Sequence, residues 1–255
     1  MTKMAEAPHN GPLIVVTRDA LAGPVHVVQL AAMLAQLRRG SLHGLFIEDE
    51  DLLTVAGLPF SQEVLHAGGR TRDFSNQHLE RSMARMAAEF RHSLAQQAET
   101  LSISWTFSST RRSRAAMTLV QNTPADLLII SPATGQTNRE NRIRRILLLE
   151  PQQPAVQKAL LNVLEAGPPC PTEITALTDY PQRGSGEPQV EHLPLQQLQQ
   201  TNSGLSLQTA AAADLERLLA TPGQRPDLVL LPRDSDTAEI AACLRFARCP
   251  VIVAS

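Results

Sequence analysis

Thr123-Pro124-Ala125-Asp126-Leu127-Leu128-Ile129-Ile130-Ser131-Pro132 and Arg225-Pro226-Asp227-Leu228-Val229-Leu230-Leu231-Pro232 are the two stretches that decide the fold. In each, a proline and an aspartate lead into four apolar residues, and a proline follows. A short continuous apolar run, without polar alternation, suits a strand buried on both faces. Such strands belong to parallel sheets covered by helices. Finding the pattern twice marks an internal repeat.

Working outward from the first stretch, Leu13 to Thr17 is another buried strand, and Val27, Leu30, Ala31, Leu34 and Leu37 follow at helical spacing. Arg38-Arg39-Gly40 ends that helix, and Leu42 to Ile47 is the next strand. This is a β-α-β unit, whose crossover is expected to be right-handed. Asp51 is read as the N-cap of one or two helical turns that stop before Pro59, and Gly68-Gly69 as a turn. Residues 76–100 carry the strongest helical signal, with Leu79, Met83, Met86, Phe90, Leu94 and Gln97 three and four apart. Leu101 to Phe107 alternates like a strand, and Ala115 to Val120 reads as a short helix.

Around the second stretch the pattern is partly replayed. Ile146 to Leu149, Thr172 to Thr178 and Leu205 to Thr209 read as strands. Residues 153–166, 211–219 and 236–247 read as helices, and Pro250 to Val253 as a last strand. Residues 179–204 are rich in Pro, Gly and Gln and carry no long helical pattern. The repeat is lopsided. The first half has no room for a last helix and strand, and the second lacks the long helix of 76–100.

Composition narrows the classes of function. Hydrophobic residues make up 43% and aromatic residues only 3%, so the core must be aliphatic. With 23 Lys and Arg against 25 Asp and Glu the net charge is −2, which does not suit a polyanion binder, and nucleic acid is not expected as a partner. Cys170, Cys243 and Cys249 form neither a disulfide framework nor a C-x-x-C pair. No apolar stretch approaches the roughly 20 residues that span a bilayer, and the N-terminal segment has no apolar signal core. The expectation is no membrane and a cytoplasmic location.

The order strand, helix, strand, long helix, strand, short helix, strand resembles the universal stress protein domain. Leu244-Arg-Phe-Ala-Arg-Cys-Pro-Val-Ile-Val-Ala-Ser255 is similar to that family's last helix and strand. Phe46 to Phe60, with the helix and Trp105-Thr-Phe107 behind it, is similar to a group of bacterial tandem stress-protein-like chains. The resemblance implies two α/β units of the adenine-nucleotide-α-hydrolase-like kind, each a mainly parallel sheet flanked by helices. Residues 12–140 would form a first unit lacking its last helix and strand. Residues 143–255 would form a second unit lacking the long central helix. The last strand of the first unit would then be an open edge, covered by the second unit or by another chain.

The family binds ATP through a loop after the fourth strand, with glycine, two residues, glycine, nine residues, then Gly-Ser or Gly-Thr. Glycines let backbone amides approach phosphates at a helix N-terminus. Here the first such loop reads Ser131-Pro132-Ala133-Thr134-Gly135-Gln136, with one glycine. The second reads Pro232-Arg233-Asp234-Ser235-Asp236-Thr237, with no glycine and two carboxylates that would repel phosphate. The expectation is therefore no bound cofactor, with ATP and AMP not favoured. Asp19 falls within a residue or two of the place of the family's base-contacting aspartate, either as a remnant of an adenine site or as a capping or solvated acid. Thr17, Asp19, Phe46, Ser131, Thr134 and Gly135 are the candidate ligand residues.

Other groupings point less sharply. Glu48 to Asp51 follow a strand's carboxyl end, but adjacent acids diverge, and a solvated helix start is the better reading than a Mg²⁺ site. Arg111, Arg112 and Arg114, with Arg139, Arg142, Arg144 and Arg145, could bind an anion if they met at one sheet edge; ordinary surface charge is the alternative. No catalytic constellation and no histidine pair at metal spacing is present. The chain reads as a non-catalytic regulatory or interaction protein of the stress response, with a protein partner or a homodimer. A sensor of a nucleotide or small anion is the other reading, and an enzyme is not expected.

Overall fold

The computed structural model describes residues 11–19, 26–58, 62–64, 71–73, 76–112, 120–131, 143–166, 173–178 and 205–255. The first stretch of chain forms β1 (Leu13–Asp19), α1 (His26–Leu37), β2 (Ser41–Asp49) and α2 (Glu50–Ala56). A small antiparallel pair follows, β3 (Gln62–Val64) and β4 (Thr71–Asp73), then α3 (Asn76–Leu101), β5 (Trp105–Arg112) and β6 (Leu127–Ile130). The rest forms β7 (Arg145–Leu148), α4 (Pro154–Ala166), β8 (Glu173–Thr178) and β9 (Ser206–Ala211). A 3₁₀ turn (Ala212–Asp214) then enters α5 (Leu215–Ala220), followed by β10 (Leu228–Pro232), α6 (Thr237–Phe246) and β11 (Val251–Ala254).

Among the described residues nine strands make one sheet in the order β5-β2-β1-β6-β11-β10-β7-β8-β9. Every pairing is parallel except β6 with β11, which run antiparallel from Val251 opposite Ile130 to Ala254 opposite Leu127. The class is α/β, with a mainly parallel sheet flanked by helices. The edge that the sequence leaves open on β6 is covered by β11 of the same chain.

The register repeats on the two sides of that seam. Leu127, Ile14, Leu42 and Trp105 lie in one row across β6, β1, β2 and β5. Leu228, Ile146, Ile174 and Leu207 lie in the matching row across β10, β7, β8 and β9. The two aspartates that open the decisive stretches do the same work in each row. Leu13 N–H donates to Asp126 Oδ2 at 2.8 Å, and Asp126 N–H donates back to Leu13 O at 2.9 Å. Arg145 N–H donates to Asp227 Oδ2 at 3.0 Å, and Asp227 N–H donates back to Arg145 O at 2.8 Å. Each aspartate thus satisfies a backbone donor that the first residue of a strand would otherwise leave unpaired.

Alternation along these strands feeds two cores. Ile14, Val16, Leu42, Phe46, Ile129, Leu230 and Ile252 are buried on one face beneath α1, α3 and α4. Val15, Leu128, Leu147, Val229 and Val253 are buried on the other with Leu215, Leu219, Ile240 and Cys243 of α5 and α6. Burial on both faces explains why the central strands read as unbroken apolar runs.

Several sequence expectations shift. Asp49, not Asp51, caps α2: its Oδ1 accepts from the N–H of Asp51 at 3.0 Å and of Leu52 at 3.3 Å. The strand run continues to Asp49, because Glu48 and Asp49 still have β5 partners in Arg111 and Arg112. Residues 101–104 are not strand. Ser102 takes φ of 55° and Ile103 N–H bonds back to Ala98 O at 3.0 Å, so the alternating Leu101 and Ile103 close a helix end against the core. The strand begins at Trp105 and runs to Arg112. The β3–β4 pair, on either side of Gly68-Gly69, was not expected beyond the turn itself. The helix expected at 115–120, apart from its last residue, and the helix-poor segment 179–204 lie outside the described residues.

Candidate functional site

In an open parallel sheet, ligands lie outside the carboxyl ends of the strands where the strand order reverses. Here β2 and β5 lie on one side of β1 and β6 on the other, so the reversal falls between β1 and β6. The matching place in the other sheet half lies between β7 and β10. Because β6 and β11 are antiparallel, the two places open at opposite ends of the sheet.

At the β1–β6 place the structure brings together two of the six candidate residues. Thr17 is buried and in register with Ile130, and Ser131 is the next residue along. Asp19 closes β1 opposite Ile47, which puts its backbone at the same edge. Phe46 is not part of that group. It is fully buried with Ile14 and Val16 on the face under α1 and α3, whereas alternation puts Thr17 on the other face with Val15. Thr134 and Gly135 lie outside the described residues.

At the β7–β10 place the residues that follow the two strands, 149–153 and 233–236, include no glycine. Glu150, in a left-handed conformation with φ of 46°, turns the chain out of β7. The two acids after β10 do not point to a shared ligand: Asp236 Oδ1 accepts from Ala238 N–H at 3.4 Å as the cap of α6, and Asp234 is exposed. Arg233 is the feature that sequence reasoning missed. Its Nη1 donates to the carbonyls of Val120 at 3.0 Å and Thr123 at 2.7 Å, its Nη2 to Ala125 O at 2.9 Å and its Nε to Ser255 Oγ at 2.6 Å. In the sequence it is marked only as the residue that follows Pro232 at the end of the second stretch.

The charged groups of the sequence disperse. Glu48 accepts from Ser109 Oγ at 2.9 Å and pairs with Arg111 at 3.4 Å, and Arg111 also meets Glu80 at 3.7 Å. Arg145 pairs with Glu173 at 3.2 Å and reaches the carbonyl of Gly223. Arg111 and Arg112 lie at the carboxyl end of β5 and Arg145 at the start of β7. They share one end of the sheet but stand six strands apart, about 29 Å at the usual strand spacing. The described arginines therefore do not form one anion site; Arg114, Arg139 and Arg142 lie outside the described residues. Among the described residues no three His, Cys, Asp or Glu side chains are grouped to hold a metal, and no helix is long and apolar enough to cross a membrane.

A second polar cluster escaped the sequence. His43 Nδ1 lies 2.7 Å from Thr106 Oγ1 and its Nε2 3.0 Å from Ser108 Oγ, tying β2 to the edge strand β5. Burial lowers the His43 pKa from its ordinary value, so the neutral ring is favoured. Its only sequence trace is Thr-x-Ser on one strand opposite a lone histidine on the next. Cys243 and Cys249 are both buried; burial raises the first thiol to about 12 and the second further, as inert structural thiols require.

No protein-family model matches the chain, and no curated protein does. Solved structures resemble it at low identity. A universal stress protein from Archaeoglobus fulgidus DSM 4304 is 12% identical, with 96% of each chain covered and a TM-score of 0.48. PA1789 from Pseudomonas aeruginosa PAO1, described as functionally unknown, is 10% identical, with 96% of this chain and 92% of that one covered and a TM-score of 0.42. A putative universal stress protein from Pseudomonas aeruginosa UCBPP-PA14 is also 10% identical, covering 96% and 93%, with a TM-score of 0.41. At such identities no chemistry passes from those proteins to this one.

Proposed function

We propose that this chain is a universal-stress-protein-like, non-catalytic regulatory or interaction protein of the stress response, acting in the cytoplasm. It would be a tandem pair of units, 12–140 and 143–255, sharing one sheet. The observation that carries the reading is Arg233. Where a phosphate cradle would follow β10, a guanidinium is spent on carbonyls of the chain's own backbone. Amides aimed at a phosphate are what a triphosphate site needs, and this loop offers a side chain turned elsewhere. The expected partner is a protein or a second copy. Among the described residues no strand pairs with the outer edge of β5 or of β9, the two strands that end the sheet, and such edges suit that contact.

The test is thermal unfolding with millimolar ATP or AMP, with and without Mg²⁺. A ligand at 100 times its Kd adds about 2.7 kcal/mol to the folded state, so binding would be plain. No shift, and no nucleotide turnover above an Asp19→Ala, Ser131→Ala double variant, are the expected results. Saturable stabilisation by nucleotide would overturn the reading in favour of the second one. In that second reading the chain senses a nucleotide or small anion through Thr17, Asp19 and Ser131, with Phe46, Thr134 and Gly135 as further candidates. What favours it is a buried hydroxyl, Thr17, beside Ser131 at the strand-order reversal.

A further inference from the structure

Among the described residues the seam between β6 and β11 is the one antiparallel pairing in the nine-stranded sheet, and four residue pairs span it. Beyond its Ala254 end the chain adds a polar web. Arg233 N–H donates to Ala254 O at 2.9 Å, Ser255 N–H to Asp126 O at 3.0 Å, and Ser255 Oγ to Ala125 O at 2.9 Å. The Arg233 guanidinium then gathers the carbonyls of Val120, Thr123 and Ala125, residues about a hundred positions away in sequence. Those carbonyls belong to the segment that enters β6 through Asp126, the aspartate that also closes the start of β1. A planar guanidinium with five donors can hold a Ser hydroxyl and three carbonyls at once. A lysine ammonium, a point charge with three donors, cannot match that fork.

We infer that Arg233 is a latch between the two sheet halves. It stands on the half that carries β10, and fastens the 120–126 segment of the other half against the end of β11. The loop after β10 thereby serves as an intramolecular joint. Without the guanidinium three carbonyls converge with no common donor, and the short β6–β11 ladder loses its brace at that end. The latch holds whichever ligand reading of the β1–β6 place is correct.

Amide exchange read by mass spectrometry on the full chain tests it. Arg233→Met keeps the side-chain stem and removes every donor. Peptides covering 120–131 and 251–255 are expected to exchange at least about tenfold faster, the equivalent of one lost charge-assisted hydrogen bond. Peptides covering β7 and β8 should keep their rates, and Arg233→Lys should recover only part of the protection. Unchanged exchange at 120–131, or an equal rise in every strand, overturns the latch. If Arg233→Met does not accumulate as folded protein, Ser255→Ala is read the same way. A rise at 120–131 and 251–255 with β7 and β8 unchanged then supports the latch, and no rise at 120–131 defeats it.

Discussion

The carboxyl ends of β6 and β10 share a backbone design and differ in chemistry. Both strands start at an aspartate that exchanges bonds with the first residue of the neighbouring strand. Both run fully apolar into the centre of the sheet. After that, β6 gives way to Ser131 beside the buried Thr17, while β10 gives way to Arg233, whose fork already holds three carbonyls and the Ser255 hydroxyl. The backbone repeat is maintained because burial on two faces and satisfied strand ends are general requirements. The chemistry at the ends is under no such constraint, and there the two places have diverged.

Ile252 lies between Leu230 and Ile129, so both sheet halves pack on one side chain. Ile252→Ala should cost about 2–5 kcal/mol and leave one cooperative transition in denaturant. Two separated transitions would show that the halves unfold independently and would break the comparison at its root.

The aspartates come next. Asp227 Oδ2 accepts from both Arg144 N–H at 2.9 Å and Arg145 N–H, whereas among the described residues Asp126 Oδ2 accepts at its strand start from Leu13 N–H alone. Asp227→Ala should therefore destabilise more than Asp126→Ala, with each charged bond worth about 1.5–3 kcal/mol before solvent screening. Equal losses in a denaturant titration would mean that the two starts are energetically interchangeable.

A smaller effect should appear with pH. In the row that places His43 in β2, the equivalent position in β8 is Thr175, which does not titrate. Burial holds the folded pKa of His43 below its unfolded value near 6.5. The neutral ring's contribution is complete above that pH and is lost as pH falls below it. Amides of β2 and β5 should lose protection between neutral pH and pH 5 while those of β8 and β9 do not. His43→Gln should flatten the difference. A uniform acid response would discard the assignment.

The smallest effect is an expected lack of reaction. In a Cys170→Ser background, native protein should leave Cys243 and Cys249 unlabelled by a thiol reagent until it is denatured, since burial raises both thiols. Rapid labelling of either would show that the core around α6 opens readily.

The parts of the fold legible in the sequence were those written in local patterns. The apolar runs of β1, β6, β7, β10 and β11, the 26-residue α3 and the Arg39-Gly40 end of α1 all follow from spacing and side-chain type. Boundaries slipped where one pattern served two structures. Leu101 and Ile103 alternate like a strand yet seal a helix end, and Asp49 and Asp51 are equal as caps until the length of β2 selects one. Of the six candidate ligand residues, Thr17, Asp19 and Ser131 fall at one sheet edge by backbone position, and Thr134 and Gly135 lie outside the described residues. Phe46 stands near them in the order of elements but faces the opposite core, because a one-residue change of parity along a strand crosses the sheet.

By itself the sequence determined the class and order of the strands of the main sheet and the two matching strand starts, since these depend on burial and capping within a few residues. Tertiary structure alone decided that β11 pairs with β6 and that Arg233 reaches Val120, Thr123 and Ala125. It also decided that His43 meets Thr106 and Ser108. Those partners lie far apart along the chain, and a hydrogen bond between them leaves no periodic trace in sequence because its geometry exists only once the sheet is assembled.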